Sequence, residues 1–360
     1  MRFLWVELRD FRNHQATKLD VPDGLVVVSG PNGEGKTNLL EGMYYVVGLA
    51  SPRVSSSEPL VRRGVDAAYA RGEVQTAGGR LLVEVEIPVT GASKVQVNRS
   101  PVRRKRDIRR QVRGVFFGPD DLSVVLGDPG ERRRFMDEAA QALWPLKESE
   151  LKAYDKSLRQ RNRLLKEWEG SGAPPDLEAW DEELIEAGSA VTRVRADAVA
   201  RLGPHASADF QTLSEYALAV TYRPNVEAEE VERGFRERLA ARRDDELIRR
   251  TTLVGPHRDE LDLAVRDLRA RAFASHGEAW GAALALRLGL ASAVAEEIGE
   301  PPVILLDDPF SALDPARRER IAAGLPGRGQ VVVSVADEAH VPLGAEAVWT
   351  VAGGVVAVDA

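Results

Sequence analysis

Gly30, Pro31, Asn32, Gly33, Glu34, Gly35, Lys36 and Thr37 match the pattern G-x-x-x-x-G-K-[ST] at every constrained position. Glycines at these spacings let backbone N–H groups converge on a phosphate, and the start of a following helix adds a favourable dipole. Lys36 is then the residue to reach the β- and γ-phosphates of a nucleotide, and the Thr37 hydroxyl the one to coordinate Mg2+. A second acidic centre lies far along the chain, where Val303-Ile304-Leu305-Leu306 runs into Asp307 and Asp308. Asp307 suits metal binding, directly or through water. Asp308 suits the orientation and deprotonation of an attacking water.

Both centres need a sheet edge to hold them. Leu25–Val28 reads as a buried strand before the glycine loop, and Asn38–Met43 as the helix after it. Val303–Leu306 is a continuous apolar run, as a parallel strand covered on both faces must be. Strand ends of such a sheet share one edge, which brings the loop and the carboxylates together. Short strands dominate residues 1–118, with an antiparallel pair, Gly72–Gln75 and Leu81–Ile87, around Ala77-Gly78-Gly79. From about 130 to 250 the apolar spacing becomes helical. Leu151, Tyr154, Leu158, Leu165 and Trp168 mark one leg of a hairpin, the breaker Gly170–Pro175 its turn, and Leu177–Leu202 the return leg. The longer leg should reach ~35 Å at 1.5 Å per residue. After residue 253 the αβ alternation returns, with strands expected at Gln330–Val335 and a closing hairpin around Gly353-Gly354.

Composition removes several function classes. The 360 residues include no cysteine, so disulfides, thiol chemistry and cysteine metal sites are excluded. No apolar stretch approaches the roughly 20 residues of a membrane helix, and the N-terminus reads as a strand rather than a secretion signal, so a cytoplasmic protein is expected. The net charge of −7 neither announces nor forbids nucleic-acid binding, which depends on local patches. The densest basic segment holds Arg99, Arg103, Arg104, Lys105, Arg106, Arg109, Arg110 and Arg113, opposed only by Asp107. It contains no aromatic residue for base stacking. Two readings stay open for it: a solvated helix face, or sequence-independent contact with DNA phosphates.

Pro309-Phe310-Ser311-Ala312-Leu313-Asp314 resembles the D-loop of ATP-binding-cassette (ABC) ATPases, and Ser275-His276-Gly277-Glu278 resembles their signature motif. The resemblance implies an ABC-type α/β P-loop head with a mixed sheet. It also implies that Ser275 and Gly277 grip a nucleotide held by another subunit. One loop and one signature per chain then imply an ATP-dependent head-to-tail homodimer. Ser275 is equally suited to an ordinary helix N-cap. Transporter ATPases of this superfamily, the alternative reading, usually carry a histidine after the last core strand. Here Val333–Asp337 has none.

Four further stretches are similar to the RecF family: Leu8–His14, Phe116–Leu122, Asp128–Asp137 with Gln160–Leu165, and Leu253–Leu261. This resemblance implies a head in two parts, 1–125 and 251–360, with an inserted helical arm at 126–250. It also places Arg12 and Asn13 at the nucleotide phosphates. The implied activity is a weak, DNA-stimulated ATPase using ATP and Mg2+. It would clamp gapped DNA or single-strand/double-strand junctions, support replication, recombinational repair and the SOS response, and help RecO and RecR to load RecA. The sequence departs from the family in its signature, where His276 and Glu278 stand in place of glutamines. It also lacks a glutamine to assign at the core-to-arm junction, and Asp308 replaces the usual glutamate.

Overall fold

The computed structural model describes residues 1–214, 216–227, 230–336 and 344–358. Asp337, part of the stretch expected to lack the transporter histidine, lies outside the described residues. Strands β1 (Arg2–Phe11) and β2 (His14–Asp20) form a hairpin, and β3 (Leu25–Ser29) leads through the glycine loop into α1 (Lys36–Gly48). Then come β4 (Ala67–Thr76), β5 (Gly79–Pro88), β6 (Lys94–Val97), β7 (Ser100–Pro101), the short α2 (Lys105–Arg109) and β8 (Gly114–Phe117). The short α3 (Leu122–Leu126) precedes the region expected as the arm, which holds α4 (Pro129–Leu143), α5 (Glu148–Glu167), α6 (Leu177–Leu213), β9 (Leu218–Arg223) and α7 (Val231–Arg249). The chain returns through β10 (Glu260–Val265), β11 (Leu268–Arg269), α8 (Ala270–Phe273), α9 (His276–Ile298), β12 (Val303–Leu306), α10 (Pro315–Gly324), β13 (Val331–Val335), β14 (Ala347–Ala352) and β15 (Val355–Val358).

The central sheet has the order β15-β14-β3-β13-β12-β8 and is parallel except for β15. Val26–Val28 and Val303–Leu306 are buried on both faces, as their unbroken apolar runs require. A second, antiparallel sheet, β2-β1-β4-β5-β6-β7, covers one face of α1. On the other side of the central sheet lies α9, whose small residues let α6 approach closely. A Cβ at Gly289 would stand 2.5 Å from the Ala206 nitrogen.

Two arm features differ from the sequence reading. Helix α6 does not stop at Leu202 but runs for 37 residues, about 55 Å at 1.5 Å per residue. It passes through Gly203-Pro204, although an interior proline removes a ladder bond and crowds the preceding turn, because packing on α9 outweighs that cost. Ala206, Phe210 and Leu213 beyond it are buried and share a core with α9. Strand β9 had no counterpart in the helical reading of this region. It pairs antiparallel with β10, so the expected boundary at 250 is stitched by a small sheet rather than crossed by a free linker.

Candidate functional site: the phosphate loop and the sheet edge

The glycine loop folds as its residue types require. Gly30, Gly33 and Gly35 have φ of 145°, 88° and 118°, a region that side chains disfavour. Lys36 is buried, and its Nζ donates to the carbonyls of Gly30 (2.6 Å) and Pro31 (2.8 Å). Burial lowers its pKa, opposed by the charges of Asp308, Asp307 and Glu34. The ammonium thus spans the mouth of its own loop, held by neutral acceptors that an anionic phosphate would outcompete.

Asp307 lies at the end of β12, beside this loop. Its Oδ1 accepts from Thr37 Oγ1 at 2.9 Å and from Ser334 Oγ at 2.7 Å. Burial pushes this carboxyl group's pKa up, and the two hydroxyl bonds pull it down. Sequence reasoning put Thr37 and Asp307 on one metal, and the structure brings them into direct contact. A buried carboxylate and a threonine hydroxyl are oxygen donors of the kind Mg2+ takes. The next residue, Asp308, has a φ of 49°, in the left-handed region, and its N–H donates to Ser334 Oγ at 2.9 Å. Ser334 therefore serves both carboxylate residues at once. Nothing in the local sequence marked it, because it lies on the neighbouring strand β13.

Two other supports of the loop were also missed. His14 is fully buried, with Nε2 3.0 Å from the Gly35 carbonyl and Nδ1 3.1 Å from Thr17 Oγ1. A carbonyl only accepts, so Nε2 carries the proton and Nδ1 accepts from the threonine. Burial lowers this histidine's pKa, in keeping with a neutral ring. On the far side, the β14–β15 turn closes over Glu34. The Gly354 N–H donates to the Glu34 carbonyl at 2.9 Å and the Gly353 N–H to its carboxylate. A Cβ at Gly30 would lie 2.4 Å from the Val351 carbonyl oxygen, so the loop has no room for a side chain there.

Arg12 and Asn13, expected at the nucleotide phosphates, frame the loop instead of pointing away from it. Arg12 Nε and Nη2 each donate to the buried carboxylate of Glu41 at 2.9 Å, which leaves Nη1. Asn13 donates to the Glu34 carbonyl at 2.9 Å and accepts from Asn38 at 2.8 Å.

At the start of α9, Ser275 and Glu278 form a capping box. Ser275 Oγ accepts from the Glu278 N–H at 3.3 Å, and the Glu278 carboxylate accepts from the Ser275 N–H at 2.8 Å. The Glu278 carboxylate also pairs with Arg266 at 2.9 Å. Burial raises its pKa, but the bonds to Ser275 and the charges of Arg266 and Arg317 more than reverse this. The glutamate in place of glutamine is thus built into the cap. Among the described residues no hydrogen bond links this motif to the chain's own loop at 30–37. The D-loop lies against α9: Trp280 Nε1 donates to the Pro309 carbonyl at 2.8 Å, and Asp314 caps α10 through the Arg317 N–H at 2.9 Å.

The basic segment divides into two groups. Arg103, Arg104 and Arg110 are exposed. Lys105 donates to the Leu49 carbonyl at 2.9 Å, Arg109 lies 3.6 Å from Glu148, and Arg113 is buried against the carbonyls of Ala142 and Val112. Arg106 is half-buried, its Nε without a partner. Of the arm arginines, Arg132 clasps Glu260 with bonds of 2.5 and 2.9 Å, and Arg133 donates to the Asp259 carbonyl at 3.1 Å. Both tie the arm to the returning chain.

Three comparisons place this arrangement among known proteins. Residues 4–352 match the family described as the RecF/RecN/SMC N-terminal domain. The DNA replication and repair protein RecF of Cutibacterium acnes is 37% identical over 366 residues, covering 94% of this chain and 93% of that protein. The solved structure of the recombination mediator protein RecF with ATP has a TM-score of 0.89 and 28% identity, covering 99% of this chain and 97% of that one. The Smc head of Pyrococcus furiosus, at a TM-score of 0.58 and 18% identity, shares the fold over 99% of this chain and 95% of its own. The expected ABC-type head is therefore the fold observed, and the chain belongs to the RecF family of DNA replication and repair proteins.

Proposed function

We propose that this chain is an ATP-gated DNA clamp with slow ATPase activity. The observation that carries the reading is the continuous link from Thr37 through Asp307 and Ser334 to Asp308, at the edge that also bears Lys36. In this reading Lys36 leaves the carbonyls of Gly30 and Pro31 for the β- and γ-phosphates of ATP, and the loop N–H groups hold the remaining oxygens. Arg12 offers its Nη1 to the phosphates, and Asn13 keeps the loop in shape. Thr37 and Asp307 would hold Mg2+, which neutralises phosphate charge. Asp308 accepts a proton from the attacking water and orients it. Its aspartate side chain is one methylene shorter than glutamate, which suits a slow turnover.

Ser275 and Gly277 meet the γ-phosphate of ATP bound to a second copy, so two nucleotides join two heads. Binding only to the joined state makes ATP a stabiliser of the dimer by mass action, and hydrolysis dissolves it. The joined heads present Arg103, Arg104, Lys105, Arg106, Arg109 and Arg110 to DNA phosphates at gaps and single-strand/double-strand junctions. Similar proteins described as mediators of the RecFOR pathway support cooperation with RecO and RecR in loading RecA. Support of replication and of the SOS response, in the cytoplasm, fits the same reading. No described helix is long and apolar enough to cross a membrane.

Sedimentation with and without ATP, repeated with junction DNA, tests the reading. The expected result is a dimer only with ATP, and DNA binding that needs ATP rather than ADP and weakens steeply with salt. A monomer under all conditions, or equal DNA affinity with ADP and ATP, overturns it.

A further inference from the structure

A cavity of about 210 Å³ lies behind the nucleotide site, between the end of α1, α2, β8 and α4. Its charged lining is Arg109, Arg113, Arg287 and Glu138, with Gln141, Tyr44 and Ser51 as neutral polar groups. The charges do not balance. Arg287 is spent on Asp121 at 2.6 Å and Glu138 at 2.9 Å, which uses the single carboxylate of the lining. Arg113 donates to two carbonyls, at 3.0 and 3.3 Å, and forms no ion pair among the described residues. Arg109 touches Gln141 at 3.5 Å and Glu148 at 3.6 Å, and its Nε is buried without a hydrogen-bond partner. Burial and the charge of Arg110 lower the Arg113 pKa to about 10, opposed by the charge of Glu297. The carbonyl end of α1 would oppose an anion here, but Lys105 already donates to the Leu49 carbonyl at 2.9 Å.

Two under-matched guanidiniums, an amide and a phenol form a donor set for a compact, doubly charged anion. We propose that this cavity takes the terminal phosphate of a DNA strand, a phosphate monoester. The exposed Arg103, Arg104 and Arg110 flank Arg109 in the chain and would lead a strand's backbone to the cavity mouth. Internal phosphodiesters carry one charge and two chain substituents, whereas a strand end carries the second charge and a single substituent. The inference rests on the DNA-binding reading above and adds to it a preference for phosphorylated ends.

The test compares the ATP-bound protein on three junctions that differ only in a 5′-phosphate, a 3′-phosphate or hydroxyl ends. One phosphorylated end should bind about tenfold more tightly than hydroxyl ends, the yield of one charge-assisted hydrogen bond. Gln141→Glu supplies a carboxylate to Arg109 and should erase that preference while the protein still binds ATP. Arg109→Gln is the second variant if the first does not fold. Equal affinity for all three junctions overturns the assignment to DNA ends. Calorimetry with inorganic phosphate separates the sources. Binding that Gln141→Glu abolishes, with an end preference, supports the proposal, and binding without an end preference gives the cavity to free phosphate and overturns it. If no DNA binds under any condition the clamp reading fails, and the phosphate titration alone then decides whether the cavity is an anion site.

Discussion

In the arm, Arg161 is fully buried and reaches Asp181 at 2.8 Å, Thr252 at 2.8 Å and Glu246 at 2.6 Å. Arg195 likewise grips Asp137 with bonds of 2.8 and 3.0 Å, the Pro256 carbonyl at 2.7 Å and Asp259 at 3.0 Å. Asp259 in turn accepts from Tyr222 at 2.5 Å and from the Asn225 N–H at 2.7 Å. On the nucleotide face, Lys36 has only carbonyls, and one oxygen of Asp307 takes two hydroxyl protons. The arm's buried charges have carboxylate and guanidinium partners in place, whereas Lys36 and Asp307 are parked on neutral groups, although Arg12 beside them is paired with Glu41. Stretch 253–261, one of the four that carry the family resemblance, belongs to the first kind. It buckles α4, α5, α6 and β9 together and needs no ligand to do so. Distinctiveness in sequence therefore does not separate binding residues from structural ones, whereas the state of their partners does.

This contrast can be broken experimentally. Arg195→Ala should cost the most stability, about 3–5 kcal/mol, because it strands the buried carboxylate of Asp259 and removes the partner of the half-buried Asp137. Urea unfolding measures it, and a loss near zero would show that the arm's pairs are not its framework. Acid should also act on the arm. His257 Nε2 donates to the Thr252 carbonyl at 3.1 Å, so Nδ1 accepts from the Tyr154 hydroxyl at 2.6 Å, and burial holds the ring's pKa down at about 4. The unfolded chain binds more protons between about pH 6.5 and 4, so its contribution is complete above 6.5 and is lost as pH falls through that window. The loss approaches about 3 kcal/mol, and His257→Gln should flatten it.

Lys36→Ala should leave unfolding almost unchanged yet weaken ATP binding about a hundredfold, equivalent to about 3 kcal/mol, as read by calorimetry. Dimerisation and DNA binding should fall with it. Asp308→Asn should keep ATP binding, suppress phosphate release and trap the dimer; turnover at the normal rate would remove Asp308 from the role of base. Ser334→Ala should have a smaller effect, about tenfold slower hydrolysis, because it strands the Asp308 N–H and frees Asp307 to rotate. At the bottom of the scale, Arg163→Ala, which breaks an exposed pair with Glu167, should change stability by less than about 0.5 kcal/mol.

The parts of the site legible in the sequence were those written in one stretch of chain. The glycine loop, the strand before it and the acidic end of β12 each carry their own pattern, and the parallel-sheet rule joins them. Ser334 and His14 were invisible because their partners are defined by strand neighbours rather than by spacing. Glu34 and Gly353-Gly354 are 319 residues apart, so only the folded sheet shows their contact. The extent of α6 was misread because Gly203-Pro204 carries a local stop signal that packing on α9 overrides. The basic segment looked uniform as text, yet burial sorts it into the exposed Arg103, Arg104 and Arg110 and the partly or fully buried Lys105, Arg106, Arg109 and Arg113, of which Lys105 and Arg113 are held by carbonyls.

The order of strands in the central sheet has a consequence for synthesis. Strand β3 ends at Ser29, but its neighbours β13 and β14 begin 302 and 318 residues later, at Val331 and Ala347. At about 5–20 residues per second, roughly 15–60 s pass with both edges of a strand that opens Leu-Val-Val-Val bare. The same interval leaves the glycine loop without its hairpin cover. The growing chain thus makes an adhesive apolar segment long before the two strands that shield it, and its unpaired edges stay open to other chains in the meantime.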